Sequence, residues 1–162
     1  MHNVSVRRAQ HGDAYSITLL LHEFAEFENA TAVVSPEAIE SALFGERPIL
    51  DAFVVDAGRE LYGLIMWYLT FSSWTGRPGV FIQDFYVRPK FRGQGYGSLL
   101  FVSLADYCVD QQYARMDWLV LDWNREALKF YEHRDAEKLS GWRMYRLSGS
   151  GLSANSRRQS DG

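Results

Sequence analysis

A chain of 162 residues with formal net charge −3 fits one ordinary domain, buries enough apolar surface to fold without cross-links, and is a poor match for a nucleic-acid binder driven by counterion release. Its single cysteine, Cys108, excludes an intramolecular disulfide and reads as a small buried helix residue, which suits a reducing, cytoplasmic compartment. The start Met1-His2-Asn3-Val4-Ser5-Val6 has no apolar signal core, and no apolar run approaches the ~18 residues of a membrane span.

Val4 to Arg7 alternates and predicts a short strand. Asp13 is placed to cap a helix through about Phe27, whose apolar face is Ile17, Leu20, Leu21 and Phe24. Ser35-Pro36 predicts an N-cap followed by proline at the first helical position, opening a short helix to about Phe44. Ala52–Val55 and Leu61–Phe71 read as strands, Ser72–Gly79 as a loop, and Val80–Val87 as the next strand. A glycine-rich turn then opens a helix to about Gln112, with apolar face Leu99, Leu100, Leu104, Tyr107 and Cys108. Met116–Leu121 reads as a strand, Asn124 to about Arg134 as a helix, and Arg143–Leu147 as a last strand. The expectation is a single α/β domain over residues 1–147 and a flexible polar tail over 148–162. Its sheet is mixed and mostly antiparallel, with a helical crossover between one parallel pair.

The segment Val87-Arg88-Pro89-Lys90-Phe91-Arg92-Gly93-Gln94-Gly95-Tyr96-Gly97-Ser98 carries the chemistry. A strand ends at a proline, three glycines follow on alternate positions, and an amphipathic helix opens. Glycines let the backbone turn tightly and approach a ligand, and helix-start amides make an anion site. A P-loop would end Gly-Lys-Ser/Thr, and a dinucleotide fingerprint would space its glycines Gly-x-Gly-x-x-Gly; neither fits. The bland alternative is a glycine turn with no ligand. The histidines His2, His11, His22 and His133 have no metal spacing, and no metal is expected. Trp67 and Trp118 read as core or sheet-face residues.

Arg92-x-x-Gly95-x-Gly97 after a Val-x-Pro strand end resembles the pyrophosphate-binding motif of the GNAT acetyltransferase superfamily, and the element order over residues 4–147 fits that fold. The resemblance implies a splayed pair of parallel strands holding acetyl-CoA. The pantetheine arm would run along the backbones of Phe85 and Val87, beside Tyr86, and the pyrophosphate would lie in the loop Arg92, Gly93, Gln94, Gly95, Tyr96, Gly97 and Ser98. It also implies a cofactor contact at Asn124, for which a plain N-cap role is the alternative. Tyr131, seven residues on, would lie against the cofactor and serve as general acid for the thiolate, its alternative being a core tyrosine. Where the family often reads Gly-Ala after this helix, the chain has Asp135-Ala136, and Asp tolerates a positive φ better than most residues.

Phe24-Ala25-Glu26-Phe27-Glu28, Phe44-Gly45-Glu46-Arg47-Pro48, Ser73-Trp74-Thr75-Gly76 and Gly141-Trp142-Arg143 resemble the diamine and thialysine acetyltransferase subfamily. By that resemblance Glu28, Trp74, Gln83 and Asp84 belong to the acceptor site. The subfamily's Glu-Asp pair reads Gln83-Asp84 here, and a second acidic position is Ser72, which argues for a small primary amine over a long polyamine. Asp84 becomes the base candidate, although strand alternation sets its side chain opposite Gln83. The implied protein is a cytoplasmic homodimer using acetyl-CoA on a small amine, with no nucleic-acid or membrane partner. The competing readings are a non-catalytic acyl-CoA-binding regulatory module, favoured by Gln83, and a protein or peptide N-acetyltransferase.

Overall fold

The computed structural model describes residues 4–157, so Met1, His2, Asn3 and the last five residues of the expected tail lie outside the described residues. The chain forms two compact units, one reaching to Leu119 and one beginning at Val120.

The first unit holds β1 (Ser5–Arg8), α1 (Ala14–Phe27), α2 (Pro36–Phe44), β2 (Asp51–Asp56), β3 (Leu61–Ser72), β4 (Arg77–Val87), a 3₁₀ turn at Pro89–Phe91, α3 (Tyr96–Asp110) and β5 (Met116–Trp118). The sheet order is β1-β2-β3-β4-β5, antiparallel except for the β4–β5 pair. Short connections build the antiparallel meander, and α3 is the crossover that the parallel pair requires. This is the mixed, mostly antiparallel α/β sheet read from the sequence.

Both faces of the sheet are covered. Ile17, Leu20, Ile39 and Leu43 of α1 and α2 pack with Val54, Leu64, Met66 and Tyr86 on one face. Leu100, Leu104 and Cys108 of α3 pack with Val55, Ile65, Trp67, Val80 and Ile82 on the other. Successive residues of a strand point to opposite faces, so a strand covered on both sides is apolar at every position. That accounts for the unbroken run Leu64-Ile65-Met66-Trp67, all four buried.

Ser35 caps α2 as expected, its Oγ accepting from the Ala38 amide at 3.3 Å. Asp13 does not cap α1 through its side chain. Its carboxylate accepts instead from the Arg7 guanidinium at 2.7 and 3.0 Å and from the Gln10 amide at 2.8 Å. An ionic partner with two donors outcompetes a first-turn amide. The expected Ser72–Gly79 loop shrinks to a tight turn, because Pro78 and Gly79 lie inside β4. Gly79 is needed there: a Cβ would lie 2.9 Å from the Arg115 carbonyl oxygen. Leu99, assigned to the buried face of α3, is 52% exposed.

The second unit contains α4 (Arg125–Glu132) and α5 (Gly149–Ala154). Asp135 follows α4 with φ 54°, the left-handed geometry that its family-typical glycine would supply. The expected strand Arg143–Leu147 is absent, since no described residue forms a ladder with it. A strand without a partner leaves its backbone to water. The stretch expected as a flexible tail holds α5, which has no buried residue.

Candidate active site

β4 is 11 residues long, yet β5 pairs with it only from Val80↔Met116 to Ile82↔Trp118. β3 follows β4 to Gly63↔Val87. From Gln83 to Val87, β4 therefore keeps β3 on one side and has outrun its pairing with β5 on the other. Gly63 permits a close approach here, since a Cβ would fall 2.5 Å from the Tyr86 carbonyl oxygen.

One residue in this stretch is surplus. Met66 pairs with Asp84 but Trp67 pairs with Ile82, so Gln83 forms a β-bulge. The bulge shifts the phase of everything after it. Ile82 and Phe85 pack on the α3 face, whereas Tyr86 packs on the α1 face and Asp84 stands opposite Met66 of that face. The strict alternation expected across Gln83 and Asp84 is broken.

The main chain is re-phased too. Upstream, the Pro78 carbonyl accepts from the Ala114 amide at 2.8 Å and the Val80 amide donates to the Arg115 carbonyl at 3.0 Å, both towards β5. Downstream, the Arg88 amide donates to the Tyr62 carbonyl at 2.9 Å, towards β3. Counting back in twos sets Tyr86 towards β3 and turns Phe85 and Val87 to the outer edge.

Beyond β4 the loop carries Gly93 at φ 73° and Gly95 at φ 86°. Gly95 is the N-cap of α3, and no side chain caps that helix start. A Cβ on either glycine would meet no atom within 4 Å. The positive end of a 15-residue helix therefore opens at Tyr96, Gly97 and Ser98 without a capping side chain. Gln94 reaches back to the Lys90 carbonyl at 3.5 Å. Tyr96 packs near Tyr62, which stacks on Phe91.

Arg92, expected beside a phosphate, donates from Nε to the Val87 carbonyl at 2.9 Å. Its guanidinium lies 4.6 Å above the Phe27 ring and 5.7 Å from that of Tyr86. Arg88, overlooked in the sequence, is the second anchor. It donates to both carboxylate oxygens of Glu23, to Glu60 and to the Leu61 carbonyl at 2.7–2.9 Å. Its acidic partners lie 65 and 28 residues away, so the sequence offered only a basic residue between strand end and proline.

Two expected acceptor residues come together. Glu28 is the C-cap of α1, and burial holds its carboxyl above the usual range. Burial, and then the charge of Glu28, push the Asp84 carboxyl up to about 6. Gln83 is exposed on the bulge beside them. Ser72 and Trp74 stand apart, at the hairpin between β3 and β4. Ser72 Oγ accepts from the Thr75 amide at 3.3 Å, and Trp74 is 89% exposed. From Arg77 to Gln83 the strand runs roughly 20 Å at its usual rise.

In the second unit Asn124 accepts from the Ala127 amide at 3.1 Å and so caps α4. The Tyr131 hydroxyl is pushed up to about 12 by burial, against a smaller opposing effect of Arg134. Cys108 is buried, and burial raises its thiol to about 11, which fits a packing role.

The acetyltransferase (GNAT) family model matches residues 18–135. The thialysine N-epsilon-acetyltransferase of Sus scrofa is 32% identical over 94% of this chain and 96% of its own. The L-ornithine N5-acetyltransferase of Arabidopsis thaliana is 26% identical over 92% of this chain and 86% of its own. Among solved structures, an integron cassette protein from V. cholerae superposes with a TM-score of 0.80 at 22% identity, covering 96% of this chain and 99% of its own.

Gly95→Val tests the loop. The left-handed φ costs an L-residue about 1–2 kcal/mol, and the new side chain points into the space at the helix start. We expect a folded protein whose affinity for coenzyme A, read by calorimetry, falls at least about tenfold. Gly12→Val is the control, because Gly12 shares a positive φ and an open surrounding but sits in the β1–α1 turn. It should carry the strain and keep the affinity. Equal affinities in both variants would reduce the loop to a turn.

Proposed function

The chain belongs to the GNAT acetyltransferase family, and we propose that it moves an acetyl group by direct transfer from acetyl-CoA to the primary amine of a small molecule. What carries this reading is the half-buried Asp84 carboxyl, raised to about 6 by burial and then by Glu28, on the strand that runs into the glycine loop. The relatives that act on thialysine and on ornithine support an amino-acid side-chain amine as acceptor.

Acetyl-CoA fits this chain's own features. The outer-edge backbone of Phe85 and the amide of Val87 suit an extended amide arm, the Val87 carbonyl already accepting from Arg92, and the uncapped start of α3 behind Gly93 and Gly95 suits a pyrophosphate. The bound donor supplies an activated acyl thioester. Glu28 and Asp84 attract the acceptor's ammonium group. Asp84 then takes a proton at its carboxylate, directly or through water, leaving the amine nitrogen nucleophilic. The outward amide of Phe85 or a neighbour polarises the reacting carbonyl. For Tyr131 the motif alone carries the assignment. In this reading it is the general acid; its hydroxyl is protonated across the neutral range, and burial, by raising it to about 12, makes it a weaker acid than a free tyrosine. The same reading takes the protein as a cytoplasmic homodimer.

Release of coenzyme A with an amine panel tests the substrate class. Gln83 and Ser72 supply no charge for a second or third ammonium group. We expect short amino-acid amines to surpass spermidine in specificity constant, and Gln83→Glu to narrow the gap by roughly ten- to a hundred-fold. A wild-type preference for spermidine would defeat this reading.

The pH dependence tests Asp84. Its raised pKa means that the base form dominates only above about pH 6, so kcat/KM should climb through that pH. Asp84→Asn should erase that limb and lower turnover by about 10²–10⁴-fold. Glu28→Gln removes the second cause of the shift, so the limb should move to lower pH. An unchanged limb in Asp84→Asn would remove Asp84 from proton transfer.

For Tyr131→Phe we expect unchanged acetyl-CoA affinity and turnover lowered by about 10²–10⁴-fold. Full turnover would exclude Tyr131 as the acid.

A further inference from the structure

Arg92 joins two parts of the first unit that the proposed chemistry needs in register. Its Nε–H holds the carbonyl of Val87, the last residue of β4, at 2.9 Å. Its guanidinium carbon lies over the ring of Phe27, the last residue of α1, 4.6 Å from the ring centre. The residue after Phe27 is Glu28, whose charge acts on Asp84. Glu28 is held otherwise by the last turn of its helix, where the amides of Glu28, Asn29 and Ala30 bond back to the carbonyls of Phe24, Glu26 and Ala25 at 2.8–3.0 Å. Tyr86 completes the packing: it stacks on Phe24 at 5.2 Å and lies 6.4 Å from Phe27. The chain thus runs Val87, Arg92, Phe27, Glu28, Asp84, from the donor edge to the acceptor carboxylates.

We propose that Arg92 is a positioning residue whose side chain fixes the end of α1, and with it Glu28, against the end of β4, rather than a ligand of the donor's phosphates. This deepens the acetyl-CoA reading above and rests on it. A phosphate ligand contributes charge, and lysine replaces much of that. A positioning arginine contributes a directed Nε–H and a flat face, which lysine lacks. The two roles therefore differ in what lysine rescues and in which substrate feels the loss.

The experiment compares wild type, Arg92→Lys, Arg92→Gln and Phe27→Leu with two donors, acetyl-CoA and acetyl-pantetheine, the second having no phosphate. We expect Arg92→Lys and Arg92→Gln to lose roughly ten- to a hundred-fold in specificity constant with both donors alike, and to raise the KM of the amine. Hydrogen exchange adds a readout independent of turnover. The amides of Glu28, Asn29 and Ala30 should exchange at least about tenfold faster in both Arg92 variants, and faster than wild type in Phe27→Leu. A loss seen with acetyl-CoA and absent with acetyl-pantetheine would make Arg92 a phosphate ligand and overturn the proposal. Unchanged exchange at the end of α1 would overturn it equally. A wild type that transfers to no amine would defeat the proposed function, while the exchange measurement would still decide whether Arg92 ties α1 to β4.

Discussion

Gln83 is one residue too many for the ladder between β3 and β4, and the site's arrangement follows from that surplus. Without it, Asp84 would fall on the α3 face with Ile82, and the outward backbone positions of β4 would be Asp84 and Tyr86. With it, Asp84 stands opposite Met66 on the face that carries α1, within electrostatic reach of Glu28. The outward positions become Phe85 and Val87. A bulge costs a ladder hydrogen bond and bends its strand. Here it also falls one residue past the last β4–β5 pair, Ile82↔Trp118. The end of parallel pairing and the change of phase therefore coincide, and the strand emerges with its polar backbone turned outward just before the glycine loop.

The loop inherits its position from that strand end. Arg88 anchors the chain to α1 through Glu23 and to the start of β3 through Glu60 and Leu61. Arg92 bonds back to Val87. Between these anchors and α3, Gly93 and Gly95 turn the chain in left-handed geometry that other residues adopt only at a cost. Two arginines that act on backbone and carboxylates thus fix where α3 begins, and in the proposed reading the pyrophosphate would be met by the amides of that helix start.

The sequence revealed features governed by neighbours along the chain. Ser35-Pro36 announced a helix start because capping is local. The apolar periodicities of α1 and α3 and the glycine loop announced themselves likewise. Asp135 was expected in a left-handed turn because the family often has glycine at that place. What stayed hidden was set by partners distant in sequence. Pro78 and Gly79 read as loop residues, but Gly79 lies in the sheet because Arg115 packs where a side chain would be. Asp13 read as a cap until Arg7 claimed it. Arg143–Leu147 read as a strand from its composition, but composition alone supplies no ladder partner. The phase of Asp84 was hidden because a bulge is a mismatch between two strands and leaves no mark on either alone. Glu28 and Asp84 were both named as acceptor residues from family resemblance. Their mutual influence, across 56 positions of sequence, is a fact of packing.

The two carboxylates cannot share one task equally. A carboxylate that pairs tightly with an ammonium group has its pKa drawn down and becomes a poorer proton acceptor. One that stays buried near another negative charge keeps a raised pKa and accepts a proton readily. Asp84 has the second environment: burial is the larger cause of its shift and Glu28 the lesser. Glu28 is raised by burial alone. In the proposed chemistry this divides the labour, with Glu28 as counter-charge and Asp84 as base. The division has a stability cost of definite sign. A folded-state pKa above the unfolded value means that the native state binds its proton more tightly, so stability is greatest below the unfolded pKa and falls as pH rises through about 6. Above that pH the folded protein carries a carboxylate that would be more comfortable in water. An ammonium group held by Glu28 offsets the lesser cause of that cost, the negative charge acting on Asp84, and leaves the larger cause, burial, in place. The paired negative charge, which weakens the empty fold at neutral pH, is therefore what favours a cationic acceptor there.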